Sequence, residues 1–213
     1  ALPISRELAR TNELLEAVRA ILLDYISDGD PRRIFDTMLR HVLRVTGSAF
    51  GFVGEVFSEG EASPFMRTLA LSNIAWDDAS RAMYAGSRGR GMEFHNLDTL
   101  FGAALRNEAV VISNDPAHDT RAGGLPPGHP ALDAFLAYPL FVRGEMVGMI
   151  GLANRDGGYE ADIVDELAPL FDSIGQMIRS MRERTEREAA EAALALERQR
   201  LDAIIEEIGR AHV

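Results

Sequence analysis

Apolar side chains recur at helical spacing near both ends of this 213-residue chain and at strand spacing between them. Between Ile4 and Ile26 the apolar positions advance by alternating steps of four and three residues, which is the spacing of a coiled-coil seam. These positions are Ile4, Leu8, Thr11, Leu15, Val18, Leu22 and Tyr25. We expect this helix to self-associate, with packing on its own domain as the alternative.

A second helix is predicted from Pro31 to Thr46. Asp30 can cap it, Pro31 suits its first position, and Gly47 can end it. Its predicted buried face consists of Ile34, Phe35, Met38, Val42 and Val45.

Short apolar runs bounded by turn residues predict the strands of a sheet. They cover Ala49–Val56, Phe65–Leu71, Val110–Ile112, Ala134–Val142 and Met146–Ala153. The last two are joined by Arg143, Gly144 and Glu145, a connection typical of an antiparallel hairpin. Two short helices are expected between the strands, one over 78–84 capped by Asp77 and one from Thr99 to Asn107 capped by Asp98.

The final segment predicts a long helix from Glu160 to about Gly209, in which Pro169 either makes a kink or stands in the first turn of a new helix. Its apolar positions follow the four–three spacing at Ile163, Leu167, Leu170, Ile174, Met177 and Met181. Charges at i,i+4 then interrupt the seam over Arg182–Glu188. It resumes in another register at Ala190, Leu194, Leu201, Ile204 and Ile208. We expect a projecting signalling helix in a parallel homodimer, with a solvated helix of no consequence as the alternative.

Composition excludes several function classes. Apolar residues make up 46% of the chain, enough for a substantial core, and a net charge of −11 disfavours nucleic acid and anionic membranes. The absence of cysteine excludes disulfides, thiolate nucleophiles, cysteine-ligated zinc and iron–sulfur clusters. No apolar run approaches the ~20 residues of a membrane span, and the N-terminus lacks the pattern of a secretory signal. We therefore expect a cytoplasmic protein without direct membrane insertion.

Candidate catalytic or metal-binding side chains are few. A metal ion could be held by Asp115, His118, Asp119 and His129. The same residues are equally typical of a polar loop, in which they would act as capping and turn residues. His118 or His129 could act as a general base, yet no Ser or Lys nucleophile is marked out near either. Phosphate-binding and dinucleotide-binding fingerprints are missing. We expect no catalysis and no cofactor.

The second half of the chain carries a recognisable order of motifs. It begins with NDP at 114–116, Arg121 and LPPGHP at 125–130. It continues with the dipeptide Tyr138-Pro139 within a strand and GEMVG at 144–148, and it ends with LANRDGGY at 152–159. This order resembles a bacterial GAF domain, a small-molecule sensing module found beside histidine kinase, PAS or GGDEF modules. The resemblance covers about residues 30–178. The cysteines of bilin-binding and sulfoxide-reducing members and the NKxFDE signature of cyclic-nucleotide-binding members are absent.

The resemblance implies an α+β fold of the GAF (PAS-like) kind, with a central five- or six-stranded antiparallel sheet and helices on both faces. The helix over Pro31–Thr46 and the base of the last helix would cover one face, and short helices the other. The organisation would be a dimerisation helix over 1–29, a GAF domain over 30–178 and a signalling helix over 179–213, leading to an output domain.

The resemblance also implies a function and a site. The domain would be a non-catalytic sensor in a histidine kinase or diguanylate cyclase, and the alternative is a dimerisation module without a ligand. The implied ligand site is lined by Trp76, Phe94, Leu97, Phe101, Asn114, Asp115, Arg121, His129, Phe135 and Tyr138. Phe94, Leu97, Phe101 and Phe135 could equally be plain core. Arg121 could clamp an anionic ligand bidentately or remain a solvated loop charge.

Overall fold

A computed structural model describes residues 31–58, 63–72, 91–125 and 129–211. The helices predicted over Ile4–Ile26 and 78–84, and the capping residues Asp30 and Asp77, lie outside these ranges. The described elements are α1 (Pro31–Thr46), β1 (Phe50–Phe57), β2 (Phe65–Leu71), β3 (Glu93–Phe94), α2 (Leu100–Asn107), β4 (Val111–Ser113), β5 (Phe135–Val142), β6 (Glu145–Ala153) and α3 (Ala161–Ala211).

Within the described ranges the strands form one six-stranded sheet in the order β3-β2-β1-β6-β5-β4. Every neighbouring pair is antiparallel, which confirms the predicted α+β fold and sheet. In the central pair Phe50 lies opposite Ala153 and Phe52 opposite Gly151. Because side chains alternate between faces along a strand, this register decides which residues share a face.

The hairpin of β5 and β6 closes through Arg143 and Gly144, whose φ angles are +54° and +83°. Two successive positive φ angles are the mark of the tight two-residue turn that matches strand twist. Glycine adopts this conformation without strain, while Arg143 occupies a region that side chains seldom visit. The hairpin was predicted from sequence, and its bounds differ by one residue at two of the four strand ends.

One face of the sheet is covered by α1 and by the first turns of α3, as predicted. A side chain at Gly51 of β1 would meet Leu43 of α1, and the ring of Tyr138 on β5 lies 4.6 Å from that of Phe171 on α3. Four positions of the predicted C-terminal seam are buried here: Ile163, Leu167, Leu170 and Ile174. The structure thus corrects the seam interpretation at its beginning, because these residues pack in the core of their own domain.

The opposite face carries α2. Its N-cap is Thr99, whose hydroxyl oxygen accepts a hydrogen bond from the backbone N–H of Gly102 at 3.1 Å. The prediction that Asp98 caps this helix was therefore wrong by one residue. Asp98 instead accepts a hydrogen bond at 3.2 Å from Arg106, which lies in the last turn of α2.

The helix α3 continues from Ala161 to Ala211 with Pro169 inside it, so no separate helix begins at that residue. Two compact units are distinguishable, and the division falls between Gln176 and Met177. In the second unit Leu194, Leu201 and Ile204 are at least half exposed. Within the charged stretch that interrupts the seam, Arg184 and Glu188 form an i,i+4 ion pair at 2.7 Å. None of the helices in the described part of the chain is long and apolar enough to span a membrane.

Candidate functional site

On the face that carries α2, the described residues enclose a cleft of about 1010 Å³. Its floor consists of residues that lie opposite one another in the central strands: Phe50 and Phe52 of β1, Gly151 and Ala153 of β6, and Phe135 of β5. Its walls are the chain around the start of α2 and the connection between β4 and β5. These walls contribute Met92, Glu93, Phe94, His95, Asn96, Thr99, Leu100, Phe101, Pro116, Ala117, Ala122, Gly123, Gly124, Leu125, His129, Ala131 and Leu132.

Aromatic rings dominate the side of the cleft nearest β3. The rings of Phe52 and Phe94 are stacked with centroids 6.2 Å apart, and Phe101 meets Phe94 edge-on at 5.3 Å. All three side chains are half-buried and pack against the core cluster beneath α2. Such a wall offers a flat apolar surface that remains accessible from the cleft.

Gly151 gives the floor its shape. A Cβ atom at this position would lie 2.2 Å from Cε1 of Phe52, so any side chain would displace that ring. The glycine lets the ring lie across the neighbouring strand, and the space above it stays open.

His129 supplies a polar group at the end of the β4–β5 connection. Its Nδ1 lies 2.7 Å from the carbonyl oxygen of Pro130 and donates to it, because a carbonyl can only accept. The imidazole ring meets Phe50 edge-on at 6.0 Å. Two contacts therefore fix the orientation of this half-buried ring.

The acidic group on the rim is Glu93. Arg67 donates to its Oε1 from Nε at 3.0 Å and from Nη2 at 2.7 Å, and His95 lies 3.1 Å from its Oε2. The hydrogen bond from Arg67, followed by that from His95, lowers the pKa of Glu93. The carboxylate therefore stays ionised and is held by its neighbours.

The ten residues that the resemblance assigned to the site are distributed over several environments. Four of them line the cleft: Phe94, Phe101, His129 and Phe135. Leu97 does not line it and packs against the core cluster. Trp76 lies outside the described residues.

Asn114 and Asp115 fasten the start of the β4–β5 connection. The amide of Asn114 donates to the carbonyl of Tyr159 at 2.9 Å and accepts from its backbone N–H at 2.8 Å. Asp115 pairs with the ring of His118 at 2.9 Å on the surface. Neither of these two residues lines the cleft, where the resemblance had placed them.

Arg121 also lies away from the cleft wall. Its guanidinium pairs with Asp119 at 2.6 Å and donates to the carbonyl of Ile112 at 3.0 Å. Chiefly through its side-chain hydrogen bond to the Asp119 carboxylate, Arg121 holds the pKa of Asp119 well below its usual range. Since the guanidinium is engaged by the protein itself, the geometry gives no support to the predicted clamp on an anionic ligand.

Tyr138 lies on the wrong face of the sheet for the assigned role. It packs against Phe171 of α3, on the face opposite the cleft. Phe135 and Tyr138 are three residues apart on one strand, and an odd separation places two side chains on opposite faces. Strand periodicity alone argues against assigning both to one pocket, so this assignment is corrected.

Sequence reasoning missed the floor of the cleft. Phe50, Phe52 and Gly151 line it, yet none of them was a candidate. The even spacing of the two phenylalanines indicates a shared face, but only the register with β6 shows which face it is. The four side chains considered as possible metal ligands do not form a site, since the described residues contain no group of three His, Asp or Glu side chains that could hold a metal ion.

Comparisons with known proteins place this geometry among relatives. The family model described as "GAF domain" matches residues 28–179. A "methyl sulfide methyltransferase-associated sensor" from Methanosarcina acetivorans is 26% identical over 166 residues, which is 78% of this chain and 16% of that protein. The chain therefore spans about a sixth of the length of this curated relative.

Solved structures show the same fold at low sequence identity. The GAF domain of a phosphoenolpyruvate-protein phosphotransferase from Coxiella burnetii is 11% identical, with a TM-score of 0.62 over 83% of this chain and 97% of that one. A free methionine-R-sulfoxide reductase from Neisseria meningitidis, solved with its substrate, is also 11% identical, with a TM-score of 0.56 over 81% and 91%. At these identities the likeness concerns the fold.

Proposed function

This chain belongs to the GAF domain family, and we propose that it is a non-catalytic sensor domain that binds a small molecule in the cleft. It would serve a signal-transduction protein such as a sensor histidine kinase or a diguanylate cyclase. The similarity to a protein named as a sensor supports this class.

The cleft of about 1010 Å³ is the observation that carries the proposal. Ligand pockets commonly enclose ~300–1,000 Å³ and combine apolar walls with a few placed polar groups. Here five phenylalanines provide the apolar walls, and His129 provides an oriented polar group. A dimerisation module without a ligand has no need for an open space of this size.

Native mass spectrometry of freshly purified protein tests the proposal. We expect a bound small molecule in the wild type and its loss in Ala122→Phe, which fills the cleft from the β4–β5 connection. Ala161→Phe is the matched control, because Ala161 is exposed at the start of α3. A wild-type spectrum without any bound molecule, under conditions that preserve other protein–ligand complexes, would favour the ligand-free dimerisation module.

The absence of catalysis is part of the same proposal. Each candidate base makes its hydrogen bond through Nδ1, His118 to Asp115 and His129 to Pro130, and no hydroxyl group among the described residues is hydrogen-bonded to either ring. Neither arrangement resembles a nucleophile held by a base. Turnover that disappears in His118→Ala or His129→Ala with the fold intact would contradict this part.

A relay to α3 follows from the contact between Asn114 and Tyr159. The wall that begins at Asn114 is joined by two hydrogen bonds to a residue just before α3 starts at Ala161. A ligand that favours one position of this wall would therefore also favour one position of the helix start. The ligand can shift the balance between the two positions by no more than the difference between its binding free energies for them.

We further propose that the second unit carries the relay as a parallel homodimer. Leu194, Leu201 and Ile204 are exposed and follow the heptad spacing of a two-stranded seam. Large exposed apolar side chains at regular spacing are typical of an interface that one copy leaves uncovered.

The cysteine-free sequence allows a direct test of this seam. In a parallel dimer, equal positions on the seam meet, so Leu201→Cys should form a disulfide-linked dimer under mild oxidation. Gln199→Cys is the matched control on the opposite side of the helix, and both positions are exposed. Equal crosslinking of the two variants, or a monomer in sedimentation at rising concentration, would contradict the dimer.

A further inference from the structure

We infer that the cleft takes an uncharged, planar aromatic molecule that carries a hydrogen-bond donor, and that Nε2 of His129 accepts the hydrogen bond from this donor. This inference rests on the proposed ligand-binding function.

The shape of the ligand follows from the walls. Phe52 and Phe94 present stacked rings with centroids 6.2 Å apart, and Phe101 meets the Phe94 ring edge-on at 5.3 Å. Aromatic faces and edges pair best with another flat ring, which gains more than its buried area alone provides. Gly151 leaves room for the Phe52 ring to lie across the neighbouring strand, where it forms part of the cleft floor.

The donor follows from the orientation of His129. In the uncharged imidazole, one ring nitrogen carries the hydrogen and the other accepts. The carbonyl of Pro130 requires the hydrogen on Nδ1, so Nε2 is left as an acceptor. In the part of the chain that the structure describes, no residue donates a hydrogen bond to Nε2. A ligand N–H or O–H group can therefore satisfy it.

The charge follows from what surrounds the cleft. Arginine is missing from the described residues that line it, and the ionised carboxylate of Glu93 stands on its rim. Arg121, the side chain expected to meet an anion, is held by Asp119 and Ile112 instead. Among the described lining residues, an anion would lose its hydration without meeting an arginine or lysine, which makes its transfer unfavourable.

Three related probes separate these features: indole, N-methylindole and indole-3-carboxylate. They share one ring system, while the second lacks the donor and the third adds a negative charge. In ligand-observed NMR titrations we expect indole to bind about three- to tenfold more tightly than N-methylindole, the range of one net hydrogen bond. The carboxylate should bind at least about tenfold more weakly than indole.

Variants locate the donor contact. His129→Phe keeps an aromatic ring beside Phe50 but removes the acceptor, so indole and N-methylindole should then bind equally. His118→Phe is the matched control, because His118 is an exposed histidine outside the cleft. If His129→Phe did not fold, the affinity ratio of the two indoles in the wild type would still test the donor.

The outcomes distinguish this inference from the function on which it rests. Equal binding of indole-3-carboxylate and indole would overturn the charge assignment, and unchanged selectivity in His129→Phe would overturn the role of Nε2. Both results leave ligand binding itself intact. Failure of all three probes, while native mass spectrometry finds another molecule, would refute the ligand class alone. If neither experiment detects a ligand, the proposed function fails as well.

Discussion

Replacing Asn114 by alanine should uncouple the cleft wall from the start of α3 and destabilise the domain. The change removes both hydrogen bonds between the Asn114 amide and the backbone of Tyr159, at 2.9 and 2.8 Å. Each such bond contributes about 1 kcal/mol net, and a buried group left without a partner costs about 1–3 kcal/mol. Tyr159 is only 1% exposed, so its backbone has limited access to water.

These magnitudes predict a loss of about 2–3 kcal/mol in the free energy of unfolding. For a domain of this size, that corresponds to a fall of roughly 4–12 °C in Tm. Urea unfolding followed by circular dichroism measures the change, and the slope with denaturant should stay the same because the exposed surface hardly changes.

Two further variants sharpen the interpretation. Asn114→Asp keeps an acceptor for the Tyr159 N–H but brings a carboxylate against the Tyr159 carbonyl, so it should also be destabilised. Asn107→Ala, at the exposed end of α2, should stay within about 0.5 kcal/mol of the wild type. A loss below that limit in Asn114→Ala would refute the reasoning, because the two bonds would then add nothing to the folded state.

Three other predictions follow from individual contacts. Burial raises the pKa of Tyr159 to about 12. An unfolded tyrosine titrates near ~10, so above that pH the unfolded chain loses its phenol proton while the folded protein still holds it. The free energy of unfolding is therefore constant with respect to this group below pH ~10 and falls as the pH rises toward ~12. Tyr159→Phe should therefore flatten the alkaline loss of stability in urea unfolding at stepped pH, and an unchanged profile would contradict the assignment. Asp119→Asn removes a carboxylate whose pKa Arg121 depresses, so the stability present above pH ~4 and lost on acidification should shrink by about 1 kcal/mol. If the free energy of unfolding fell equally with decreasing pH in Asp119→Asn and in the wild type, the assigned role of the Asp119–Arg121 pair would be wrong. Gly151→Ala places a methyl group 2.2 Å from the Phe52 ring and should cost about 1–3 kcal/mol while weakening indole binding. If Gly151→Ala had the stability and indole affinity of the wild type, the Phe52 ring could move aside without cost, and the reasoning would be wrong.

Local patterns in the sequence predicted the elements that depend on neighbouring residues. The helix from Pro31 to Thr46 and the strand from Phe65 to Leu71 have the predicted bounds. The turn at Arg143 and Gly144 was also predicted, since turn geometry is decided within a few residues. The order of motifs after Asn114 identified the family, and the match over residues 28–179 confirms it.

The site required contacts that no local pattern contains. The floor of the cleft depends on the pairing of Phe50 and Phe52 with residues about a hundred positions later in the chain. The partner of Asn114 is 45 residues away, and the guanidinium of Arg121 turns to Asp119 and Ile112 instead of the cleft. The four–three spacing of Ile163 to Ile174 fits a dimer seam and a buried face equally well, because both require one apolar stripe. Sequence periodicity determined that these side chains are covered, and only the tertiary structure decided that their own sheet covers them.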